Sequence, residues 1–236
     1  GAGTTTSGTL TLGSPNSGAS GVSGAAAVAT GTSSAGNTGA INIRTGHATG
    51  GRAGAICMIV GAGNSGTGGQ LDLRGGATTG ADVSGGDVSV SSGASESSSS
   101  GSLYLQTSNA GVRGVSGQID ITTGTSSGGN TGMLRLVTGK AEGGHGGSMV
   151  IGVGEGNVGN GGDIDVVAGD TTDPEASGGS ISLRSGAGKP TSGGGVSVRT
   201  ANAGEAGVSG IIDLTTGTAS AGNSGAIALT TGVAEG

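Results

Sequence analysis

The chain contains no Phe and no Trp, a single Tyr, a single Cys, three Pro and two His among its 236 residues, and only 10% of its residues are charged. Each shortage removes an explanation. Aromatic and long aliphatic side chains fill the centre of ordinary globular domains, so any core built here must be thin. One cysteine, Cys57, allows neither an internal disulfide framework nor a paired metal site. With so little Pro, and Gly not at every third place, a collagen helix is excluded. Nine Lys and Arg stand against fifteen Asp and Glu, a net charge of −6. Without a basic patch or rings to stack on bases, nucleic acid is not an expected partner. No run is long and apolar enough to span a bilayer. The opening GAGTTTSGTLTLG has neither the charged start nor the apolar stretch of a signal peptide.

What the chain has in abundance is glycine, 60 residues, and repetition. Gly207 to Gly232 reads GVSGIIDLTTGTASAGNSGAIALTTG, and close copies begin at Gly114 and Gly21, each 93 residues from the next. Fixed-distance repetition points to a serial array of units. The copies span 21–113 and 114–206, with partial copies at 207–236 and 1–20, so 1–236 is expected to be one continuous repeat domain and a segment of a longer array.

Within each block a finer motif recurs, aliphatic, any, aliphatic, any, small, Gly. Its aliphatic pairs are Leu10 and Leu12, Ala26 and Val28, Ile41 and Ile43, Ile56 and Met58, Leu71 and Leu73, and so on to Ile227 and Leu229, fifteen in all. Successive pairs are 16, 15, 15, 15, 17 and 15 residues apart, after which the same irregular series begins again. Apolar alternation over five positions is the signature of a strand with one buried face, and the glycines are stop signals. The predicted fold class is therefore all-β: a narrow, flattened parallel β-solenoid (β-helix) of about fifteen coils. At ~4.8 Å per coil it would form a rod on the order of 70 Å long. Composition alone fits a flexible low-complexity chain equally well; the constant register of the aliphatic pairs is what argues for the solenoid. Asn37, Asn64, Asn130, Asn157 and Asn223 sit where corners are expected, Asn being tolerant of left-handed backbone.

In a solenoid the positions beside the aliphatic pair face outward. Asp72, Asp120, Asp165 and Asp213 occupy the middle place, and Arg44, Arg74, Arg184 and Arg199 the one beyond the second aliphatic. They read as an exposed charge ladder, with Asp165 against Arg184 and Asp213 against Arg199 on adjacent coils. Gly161-Gly162-Asp163-Ile164-Asp165 matches only a fragment of a calcium-binding repeat. Apolar outward residues in a chain this poor in them, Cys57, Ile59, Val137, Val150 and Val167, mark a candidate lateral contact between copies. His47 and His145 share no repeat position and have no ligand cluster beside them. No Gly-Lys-Ser/Thr loop follows a strand to hold a phosphate. No catalytic set, cofactor site or metal site is expected, and the chain does not read as an enzyme.

The phrases SGGSISLRSG, SGQIDITTG and SGAIALTTG resemble those of Gly/Ser/Thr-rich repeat proteins of extracellular fibres and cell-surface appendages, including the long β-solenoid proteins of algae and other protists. The resemblance covers essentially the whole chain and is one of style. It implies a secreted or cell-surface structural filament that associates with copies of itself end to end and side by side and carries O-glycans on Ser and Thr. Two alternatives are an ice-binding solenoid, whose flat columns of outward Thr would include Thr11, Thr122, Thr215 and Thr230 but are interrupted by Arg, Asp and Val, and an adhesin or carbohydrate-binding rod, for which Tyr104 is the one aromatic platform.

Overall fold

The computed structural model describes residues 8–189 and 191–233, and among them it contains neither helix nor strand. This overturns the all-β class, and with it the parallel β-helix and the rod length that rested on stacked coils. The period survives in another form. A bend or turn lies between every two consecutive aliphatic pairs, at 19–20, 34–36, 49–51, 64–67, 80–82 and 96–98, and then again near 112, 127, 142, 157, 174, 189, 205 and 220. The second set reproduces the first at an offset of about 93 residues.

The stems of these loops are closed in one recurring way. If the first aliphatic of a motif is position 0, the residue at +4 meets the Gly two places before the next motif. A methyl placed on Gly39 would stand 3.7 Å from Thr30 Cγ2, on Gly54 3.7 Å from Thr45 Cγ2, and on Gly69 2.8 Å from Val60 Cγ1. One block later the partners are Gly132 with Thr123, Gly147 with Thr138, and Gly162 with Val153, the last at 2.9 Å. In four loops a backbone hydrogen bond also closes the stem: Gly86 N–H donates to Gly76 O at 2.8 Å and Gly101 N–H to Gly93 O at 2.9 Å. Gly179 to Gly169 O and Gly194 to Gly186 O, both 2.9 Å, are their counterparts.

The chain divides into two units, Gly1–Asp120 and Ile121–Gly236. In the first, the loop at 17–21 is a turn with Gly21 N–H donating to Gly18 O, and Ser14 Oγ donates to Gly24 O at 2.7 Å. In the second, the Asp173 turn is built from Ala176 N–H to Asp173 O and Glu175 N–H to Asp173 Oδ1 at 2.9 Å. Among the described residues positive φ occurs at Gly66 and Gly159, one block apart, where it is 72° and 77°, at Gly222, where it is 120°, and at one non-glycine residue, Asp82. The Asn residues thus do not take the left-handed role expected of them. Asn37, Asn130 and Asn223 instead follow directly on their bends.

The closure sets position +4 of one motif against −2 of the next, and no described backbone pairs in a strand ladder. No described side chain is buried. The first aliphatics from Ile41 to Ile227 stay 50–60% exposed and their partners 57–88%. Two aliphatic side chains, even fully buried, contribute roughly 3–6 kcal/mol, several-fold less than the conformational entropy of ordering about fifteen residues. Accessible surface totals 23505 Å², against ~9,000 Å² for a folded monomer of this mass and ~31,000 Å² for its unfolded chain.

Candidate functional site

The candidate residues are exposed and scattered along the repeat. Cys57 is a free thiol on the surface, in the apolar run Ile56-Cys57-Met58-Ile59-Val60. Ile59, Val150 and Val167 are almost fully open to solvent, and Val137 nearly two-thirds so. No described residue covers them.

The charged positions pair locally. Arg74 Nε donates to Asp72 Oδ1 at 2.8 Å, within one motif, and Lys140 Nζ donates to Glu142 Oε1 at 2.9 Å. These are the ion pairs among the described residues. Asp120 accepts a hydrogen bond from Gln118 Nε2 at 2.7 Å. The expected cross-motif pairs, Asp165 with Arg184 and Asp213 with Arg199, are not among them. Residues two apart on extended backbone fall on one side of the chain, so the short link is available without a ladder; the long one needs motifs side by side. The remaining ladder positions, Arg44, Arg184 and Arg199 among them, carry unpaired charge in solvent.

Among the described residues no three His, Cys, Asp or Glu side chains come close enough together to hold a metal ion. One open hollow of about 220 Å³ is lined by Leu12, Gly13, Ser14 and Ala25 to Ala27. It has no charged group, and it is smaller than the roughly 300–1,000 Å³ of a small-molecule pocket. Ser14 there is engaged with Gly24 O. No described helix is long and apolar enough to cross a membrane.

What the arrangement offers is a periodic surface: an exposed aliphatic pair, a closed polar loop, and the next pair. Within the pairs from Ile41 onward the second residue is always the more exposed, as in Ile151 against Met149 and Leu183 against Ile181. The first, partly covered, lies two residues after the closing Gly. That Gly at −2, present before every motif from Ala26 on, is the functional feature that reading the aliphatic alternation missed. The signal for it was its invariant distance of two residues ahead of the pair. No family model, no curated protein and no solved structure matches the chain.

Proposed function

We propose that the chain is a structural repeat segment of an extracellular filament or surface appendage, working by association with further copies of itself. The observation that carries this reading is that every aliphatic pair is presented to solvent, at intervals of 15 to 17 residues that repeat every 93. Contiguous exposed apolar surface marks contact sites between molecules. Repeating one weak contact many times along a chain raises the total affinity far above that of each contact. The small side chains at +4 and −2 leave the loops closed and polar, so that association is confined to the pairs. The exposed hydroxyl run Ser95 to Ser100, less its Glu96, is a natural place for O-linked sugar.

The test is imaging and light scattering of the purified chain over a range of concentrations. Fibres or growing oligomers are the expected result. A chain that stays monomeric at every concentration but lowers the freezing point by thermal hysteresis, or is retained on glycan surfaces, would contradict it in favour of ice or sugar binding.

A further inference from the structure

The chain holds ten Asn, and Gly follows one of them, Asn160. The others precede Ser, Thr, Ala, Val or Ile, and no Asp precedes Gly. Asn160 is the first residue after the bend at 157–159, whose last residue, Gly159, has a φ of 77°. It is exposed. Among the described residues neither its side-chain amide nor the Gly161 N–H takes part in a hydrogen bond. Space around Gly161 is open, since a methyl placed there would meet nothing within 4 Å. A helix or a strand ladder would hold this N–H in a hydrogen bond and fix the backbone on either side of it, and neither is present here.

We infer that Asn160 and Gly161 form a self-modification site, at which the chain converts Asn160 to aspartate and isoaspartate without an enzyme. The Gly161 nitrogen attacks Asn160 Cγ. A C–N bond forms, the bond from Cγ to the side-chain nitrogen breaks, and ammonia leaves with the proton that Gly161 gives up. The product is a cyclic imide, which water opens. Cleavage between Cγ and the Gly161 nitrogen gives aspartate. Cleavage between the Asn160 carbonyl carbon and that nitrogen gives isoaspartate, whose main chain runs through the side chain. Gly at 161 favours the attack because it has no side chain in the way and its backbone reaches angles other residues resist. Either product adds a carboxylate between Glu155 and Asp163, in a stretch, 141–183, that contains no Lys or Arg. Isoaspartate also lengthens the main chain by one carbon just ahead of Gly162, which closes this loop on Val153. The loop one block earlier has the same bend glycine, Gly66, and the same closure, Val60 on Gly69, but carries Thr67 in place of Asn160. Ageing therefore opens the later loop and leaves the earlier one closed.

The test is to incubate the full chain at mildly alkaline pH, where more of the Gly161 amide is in its attacking anionic form, then cut it with trypsin and read the peptides by mass spectrometry. Cleavage after Lys140 and Arg184 releases 141–184, which carries both Asn160 and Asn157 and so supplies its own control. The expected result is conversion of amide to carboxylate at Asn160, part of it isoaspartate that a protein isoaspartyl methyltransferase labels, with Asn157 intact. Gly161→Ala, whose added methyl has open space, should lose the conversion. Thr67→Asn, which sets an amide side chain before Gly68, should gain one in the peptide 53–74. In the aged wild type the nuclear Overhauser contact between the Val153 methyls and Gly162 should disappear, and the one between Val60 and Gly69 should remain. An Asn160 that stays an amide, equal conversion at the other Asn residues, undiminished conversion in Gly161→Ala, or none gained in Thr67→Asn overturns the site. A Val153–Gly162 contact that persists in the isoaspartyl chain overturns the opening of the loop.

Discussion

At the scale of single residues, the determining contact is a small or β-branched side chain against a Cα that has no Cβ. Gly69 and Gly162 are the tightest cases, since an added methyl would meet Val60 Cγ1 and Val153 Cγ1 inside van der Waals distance. Gly69→Ala should therefore abolish the nuclear Overhauser contact between Val60 methyls and residue 69, and Gly61→Ala, with open space around it, should leave the same contact intact. Persistence of the contact in Gly69→Ala contradicts the closure. Cys57 provides a second check at this scale. An exposed thiol outside any packed interior reacts as free cysteine does. Its rate with a disulfide reagent should change by no more than about twofold on adding denaturant, and strong acceleration on denaturation would mean it is covered.

At the scale of the element, the unit is a closed loop with an extended aliphatic spacer, and it is held by one side-chain contact or one or two hydrogen bonds. Such a unit has no ladder, so far-UV circular dichroism should lack the β-sheet band and change gradually on heating, without a midpoint. A sharp transition would contradict this. How much of the element was legible in the letters follows from the same parts. The spacing of 16, 15, 15, 15, 17 and 15 located every bend, because bends fall wherever Gly, Ser and Thr separate one pair from the next. Alternation in Ile41-Asn42-Ile43 suggested a strand, but alternation specifies only which side of an extended backbone is apolar. Whether a partner strand lies alongside depends on what the loop brings back. Here Thr45 against Gly54 brings back the start of the next motif. The local pair Arg74–Asp72 follows from the same fact, as does the missing Asp165–Arg184 pair. The candidate contact residues Cys57, Ile59, Val150 and Val167 read as outward-facing by reference to an interior that does not form; their chain neighbours are exposed as well, save Ala168, which is partly covered.

At the scale of the whole molecule, a surface of 23505 Å² leaves little apolar area to lose on heating. Calorimetry should accordingly show no peak approaching the roughly 0.7 kcal/mol per residue typical of a globular protein, and such a peak would require a core. The account as a whole rests on loops closed at glycine while the aliphatic pairs between them remain unpaired. Backbone amide hydrogen exchange of the dilute, monomeric chain tests this most directly. Slowed exchange should be confined to loop-closing amides such as those of Gly86, Gly101, Gly179 and Gly194, with the amides of Ile56 to Val60 and their counterparts exchanging as free peptide. Protection running through successive aliphatic motifs would show that they pair with one another, and would contradict it.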